Sequence, residues 1–292
     1  MGNLITLERE GLRMLISPPG REDSYYQGVR FDRSGVIIGL CSRGRSYVQE
    51  WFDEYDPFRH DCVTGPVDEF SQIGYDEAAP GDGFLKIGVG ILRREGSGPY
   101  DWFHSYKVLD EGLWSVCHQN TSAIFAHSIP GIYYYEKEIR LNSAHGFTLS
   151  HVLYNEGVEP LVGTCYNHNF FTLGETCVGP WRKVSLPFEP EGTWRSDSVS
   201  AELTPSGIIF RRELKPGEKA YMGDLRPRNG KSRYLFELSD DSEGMTVRCC
   251  SEVDFHHIVF WANHRIACVE PYVKYTISPG EKFGWTQEYV CD

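Results

Sequence analysis

The sequence predicts an all-β protein, a large antiparallel β-sandwich, on three observations. Apolar and polar residues alternate with period two through many short segments. Gly, Pro, Asn and Asp punctuate those segments at roughly even spacing, and no long segment keeps the 3.6-residue period of a helix. Tyr133 to Leu141 is the clearest strand: Tyr133, Tyr135, Ile139 and Leu141 fall on one face and mostly polar groups on the other. Phe147 to Tyr154 follows after Asn142-Ser143-Ala144-His145-Gly146, a hairpin-like connection. Ile208 to Leu214 reads as another strand, closed by Pro216-Gly217. Tyr275 to Ser278 is closed by Pro279-Gly280, and Phe283 to Val290 then runs toward the last residues. Proline presets φ for a tight reversal and glycine completes it. Ser46 to Tyr55 is expected to form a turn or two of helix. No shift in composition marks a boundary, so residues 1–292 are read as a single sandwich domain.

Composition narrows the function classes. Of 292 residues, 40% are hydrophobic and 24% charged, which suits a globular protein with a substantial core. A net charge of −12 argues against nucleic acid or an anionic membrane as partner, since both call for clustered Lys and Arg. Residues 1–13 carry charges throughout, unlike a signal peptide, and no apolar run is long enough to span a bilayer. The nine cysteines are an odd number without CxxC spacing, and Cys249 and Cys250 are adjacent. Free, mostly buried thiols and a reducing cytoplasm are therefore expected, with a monomer or homodimer and no metal.

Two windows carry candidate chemistry. Thr164 to Gly174 sets Asn167, His168 and Asn169 directly beside Phe170 and Phe171. That mixture suits a strand end at a cleft, where an imidazole exchanges protons near neutral pH and neighbouring amides orient it. The competing reading is a histidine held in the core by hydrogen bonds. In His257 to Tyr272, the apolar run Ile266-Ala267-Cys268-Val269 ends in Glu270-Pro271. A carboxylate at the exit of a buried strand is costly unless a site pairs or solvates it. The alternative is that Glu270 starts a loop and faces water.

Together, Asn167-His168-Asn169-Phe170-Phe171, Val269-Glu270-Pro271 and Ser278-Pro279-Gly280-Glu281 resemble, in order and separation, the galactose mutarotase (aldose 1-epimerase) superfamily. The resemblance covers about the C-terminal two thirds of the chain. It implies the superfamily's supersandwich fold, a small-molecule carbohydrate as partner and an isomerase that opens and recloses a pyranose ring. By similarity His168 is the general acid at the ring oxygen and Glu270 the general base at the anomeric hydroxyl. No cofactor is needed. The expectation is that both face one open cleft across a sugar-sized gap.

The pattern also departs from the family. The upstream His-Gly segment of catalytic mutarotases is replaced by Phe84 to Arg93, which has glycines and basic residues but no histidine. His104 is the candidate substitute, or an ordinary strand residue, and Glu237 stands near where the family has a sugar-holding aspartate. In Gly28 to Gly35, Arg30 is placed to hold sugar hydroxyls or a carboxylate, or pairs with Asp32. Lys86 and Arg93 offer positive charge to an anionic sugar, or are solvated strand residues. Asn167 is a further substrate-binding candidate, and Phe170 and Trp261 are candidate platforms for a pyranose face, or core residues. The alternative function is a non-catalytic carbohydrate-binding protein of the same fold. A sugar lyase or hydrolase would need a Tyr or second carboxylate opposite the first.

Overall fold

The computed structural model describes residues 4–195, 200–230 and 234–292. Its first strands are β1 (Ile5–Arg9), β2 (Leu12–Ser17), β3 (Val36–Ser42), β4 (Arg45–Val48), β5 (Val67–Phe70), β6 (Gly83–Lys86), β7 (Gly90–Arg93) and β8 (Val108–Asp110). The middle holds β9 (Leu113–His118), β10 (Ser122–Ile129), β11 (Tyr133–Leu141), β12 (Gly146–Asn155), β13 (Leu161–His168), β14 (Arg182–Ser185), β15 (Pro190–Glu191) and β16 (Ala201–Thr204). The last are β17 (Gly207–Phe210), β18 (Ala220–Pro227), β19 (Tyr234–Asp240), β20 (Met245–Ser251), β21 (His257–Ala262), β22 (Ala267–Ile277) and β23 (Lys282–Cys291). There is no α-helix among the described residues.

Two antiparallel sheets make the sandwich. One has ten strands in the order β16-β17-β14-β19-β20-β23-β12-β11-β10-β9, the other six in the order β15-β18-β21-β22-β13-β5. Small sheets β1 to β4 and β6 to β8 flank them. Leu149, Val247 and Tyr289 of the larger sheet share one buried cluster with Phe260, Val269 and Val273 of the smaller. Burying such faces against each other is the main drive for a sandwich. The expected helical turn over Ser46 to Tyr55 is not formed. Arg45 to Val48 pairs with β3, and the chain then runs irregularly, tied down by the Trp51 indole N–H donating to the Val63 carbonyl at 2.8 Å. The strand expected at Ile208 to Leu214 stops at Phe210, and Leu214 instead donates its N–H to Val178.

Charge also lies between the sheets. Lys137 on β11 meets Asp68 on β5 at 2.7 Å and Asp32 at 3.6 Å, and all three side chains are at most 1% exposed. His151 on β12 lies 3.0 Å from the same Asp68 oxygen, and Asn167 donates to the other at 3.0 Å. The Tyr135 hydroxyl donates to Asp32 at 3.1 Å. Burial would raise the Asp68 pKa, but His151 and Lys137 outweigh it and hold the carboxylate below its ordinary value. Asp32 is shifted the other way, chiefly by burial.

Candidate active site

One register places the central pair. Strands β13 and β22 pair from Leu161↔Ile277 to Tyr166↔Tyr272, where the ladder ends. Continuing that count sets Asn167 against Pro271 and His168 against Glu270. Proline has no N–H for the ladder, so pairing stops beside it, and the Asn169 amide takes the Val269 carbonyl at 2.7 Å instead. His168 Nε2 then lies 3.1 Å from Glu270 Oε1. The expected gap between them is replaced by direct contact, because cross-strand neighbours on one face are held side by side.

The same face of the six-stranded sheet, read across its strands, forms the floor of a cleft of about 750 Å³. Tyr221 comes from β18, Val259 and Trp261 from β21, Glu270 and Tyr272 from β22, and Tyr166 and His168 from β13. The registers Tyr221↔Trp261, Val259↔Glu270 and Tyr166↔Tyr272 put these side chains in one layer. Arg30, Trp51 and Phe170 wall it, with His60, Asp61, Trp102 and Phe103 also lining it.

His168 is fixed by packing more than by amides. Its ring stacks on Phe170 at 3.7 Å, and Trp51 stacks on the far side of Phe170 at 5.1 Å. Both faces of Phe170 are therefore covered, and it offers the cleft an edge rather than a platform. Trp261 lies edge-on to His168 and to Trp51 and is half-buried.

The electrostatics favour an uncharged pair that shares one proton. Burial, with the Arg30 cation second, pushes the His168 pKa well below the ordinary histidine value. Burial raises Glu270 well above the usual carboxylate range, against the pull of Arg30. A Glu270 carboxylic acid donating to His168 Nε2 satisfies both. It leaves the proton on Nδ1, which is buried without a partner among the described residues, on a neutral ring, where that omission costs least.

Arg30 reaches the site from the strand-free segment before β3. Its Nε donates to Glu69 at 2.8 Å and its Nη2 to the Tyr166 hydroxyl at 3.1 Å, rather than pairing with Asp32. Glu69 also accepts from Tyr166 and from Lys86 Nζ at 3.3 Å. The guanidinium lies 4.6 Å from the centre of the Phe31 ring. Lys86 is fully buried, donating to the Phe70 carbonyl at 2.5 Å, so it supports Glu69 from below and does not line the cleft.

The remaining candidates lie elsewhere. Asn167 is one residue from His168, so the strand alternation turns it to the core, where it bonds Asp68 and the Tyr289 hydroxyl. Glu237 sits on β19 of the other sheet, and its neighbours Phe236 and Leu238 are buried while it turns outward to Arg248 at 2.7 Å. His104 is exposed and 2.8 Å from Glu95, which also takes Arg93 at 3.1 Å. None of these lines the cleft. Sequence reasoning passed over Tyr166, Tyr272, Glu69 and Tyr221. Tyr166 and Tyr272 were legible in principle, since each lies two residues from a named candidate and so shares its face.

No family model and no curated protein matches the chain. Solved structures do. A GalM/aldose epimerase homologue from C. elegans is 12% identical with a TM-score of 0.59, covering 99% of this chain and 98% of that one. A galactose mutarotase-like protein from Lactobacillus casei gives 11% and 0.57, covering 99% of this chain and 100% of that one. Another from Clostridium acetobutylicum gives 14% and 0.58, covering 99% and 95%. At such identities the likeness bears on architecture alone. The chain is an all-β sandwich with the galactose mutarotase-like fold.

Proposed function

We propose that this protein interconverts the anomers of an aldose or modified sugar by acid-base ring opening. The observation that carries the reading is the 3.1 Å His168–Glu270 contact on the floor of an open cleft. The ring oxygen and anomeric hydroxyl of a pyranose sit on one carbon, closer than two unbonded atoms can approach. An acid and a base that serve both oxygens must work within one site, and adjacent cross-strand side chains on the cleft floor meet that need.

The proton count closes. With the pair's proton moved to His168, Nε2–H protonates the ring oxygen as the C1–O5 bond breaks, and Glu270 takes the hydroxyl proton as C1=O forms. The pair is left as a carboxylic acid and neutral imidazole, the form burial favours. Rotation about C1–C2 and reversal of both transfers gives the other anomer and restores the starting form. Arg30 lies near enough to ease ionisation of Glu270. Trp261 offers the apolar side of a ring a surface to lie against. A non-catalytic binding protein is the second reading, favoured by a pair whose hydrogen bonds are already turned on each other.

Exchange NMR on a panel of freshly dissolved aldoses and their acidic derivatives tests the proposal. Acceleration of anomer exchange for at least one sugar is expected; tight binding with no acceleration of any would select the binding protein instead. A pH profile is a further check. The active form holds one proton in the pair, and a second proton adds only at the lowered His168 pKa, while the last leaves only at the raised Glu270 pKa. We expect the acid limb of kcat/KM to lie below 6.5, the ordinary histidine value. An acid limb at or above that value would contradict the buried, neutral pair.

A further inference from the structure

We propose that the cleft carries, opposite the His168–Glu270 pair, a subsite for an anionic group on the substrate, formed by Lys219 and Arg195. The inference rests on the sugar-cleft reading and adds a substrate class, a sugar bearing a phosphate or a carboxylate remote from C1. Its starting point is an imbalance of charge. The chain has 41 acidic and 29 basic residues, and exposed arginines elsewhere, such as Arg211, Arg212, Arg226 and Arg248, are each paired with a glutamate.

The cleft departs from that arginine pattern at Arg195. Arg195 and Lys219 both line it, both are exposed, and neither side chain has a hydrogen-bond or ion-pair partner among the described residues. The lining acids offer them nothing. Asp61 is engaged by Arg59 at 2.8 Å, and burial holds Glu270 toward its uncharged form. His60 is kept largely neutral by burial, and Arg30 is bound to Glu69. Among the described residues, two cations without an ion-pair partner therefore face a pocket whose other lining groups are aromatic, uncharged or already engaged. In such surroundings a charge attracts an opposite charge more strongly than it would on an open surface.

Position decides which end of the sugar they would meet. Tyr221 faces the cleft, and Lys219, two residues before it, falls on the same side of the chain. The Arg195 N–H donates to the Tyr221 carbonyl at 2.9 Å, which sets Arg195 on the outer side of β18. From β18 to the strand of Glu270 is two strand spacings through β21, about 10 Å. That separation suits a ring with its anomeric carbon at His168–Glu270 and its exocyclic carbon toward β18. An acidic group at the exocyclic position would meet Lys219 and Arg195, and one at C2 would not.

Binding and turnover are measured separately, so this proposal and the enzymatic reading fail in different ways. Calorimetry compares methyl glucoside, methyl glucoside 6-phosphate and methyl glucuronoside, whose blocked anomeric carbon permits binding without chemistry. Exchange NMR compares glucose, glucose 6-phosphate and glucuronate, and the galacto series runs in parallel. Two charge-assisted contacts should make an acidic sugar bind about 10- to 100-fold better than its neutral parent. That ratio should shrink with added salt and fall toward one in Arg195→Ala/Lys219→Ala. Whichever of phosphate and carboxylate is preferred identifies the group. Equal or better binding of neutral sugars overturns the proposal, as does a preference that survives in the double variant with an unchanged melting temperature. Acidic sugars that bind tightly but are not interconverted support the subsite and count against the mutarotase reading alone.

Discussion

Replacing Glu270 with glutamine is expected to lower the rate of anomer exchange by about 10²- to 10⁴-fold, the usual contribution of a positioned general base. The melting temperature should hold or rise. Glutamine keeps the shape of the side chain, and its amide can still donate to His168 Nε2 across the 3.1 Å contact. It also removes a buried carboxyl whose ionised form the site disfavours. Loss of rate without loss of stability separates a proton carrier from a packing residue. Full activity in Glu270→Gln would remove this residue from the mechanism. His168→Gln serves as the companion. If the pair works as one proton relay, the double variant should be little slower than either single one, because the effects of such residues are not additive.

Lys137→Met is expected to cost about 3–5 kcal/mol of stability, the typical penalty for leaving a buried charge without its partner. For a chain of this size that lowers the melting temperature by about 5–8 °C. Lys137 is 1% exposed and lies between Asp68 at 2.7 Å and Asp32 at 3.6 Å, so its removal leaves two carboxylates facing each other away from water. Adding Asp32→Asn should recover part of the loss. The sign of the pH dependence follows from Asp68, whose pKa is depressed in the fold: its contribution is present above its ordinary value of 3.8 and is lost as pH falls toward the depressed one. A Lys137→Met protein that melts with the wild type would show that these groups are not ionised together.

Much of this was readable along the chain. Tyr133, Tyr135, Ile139 and Leu141 were placed on one face by period two, and all four are buried. The same count puts Lys137 on that face, a lysine among core residues, and so signals the buried network. Its partners were not readable, because Asp32, Asp68 and His151 lie far from it in sequence. The Pro279-Gly280 turn and the final strand were likewise local features, set by proline and glycine backbone preferences.

The site divides along the same line. His168 and Glu270 stood out as polar groups in apolar windows, a signal each window contains by itself. Asn167 failed as a cleft residue although it adjoins His168, since alternate residues of a strand point to opposite sides of the sheet. Glu237 failed because position along a chain does not reveal which sheet a strand joins. It ended on the outer face of the ten-stranded sheet beside Arg248.

The sequence by itself therefore determined the strand-rich sandwich and the two windows with proton-transfer groups, because alternation and turn chemistry act between near neighbours. Only the tertiary structure decided that His168 and Glu270 touch, that Arg30 serves Glu69 rather than Asp32, and that Lys86 lies under the floor. Each is a pairing across the sheets, fixed by strand register and burial, and 102 residues of chain separate the two members of the central pair.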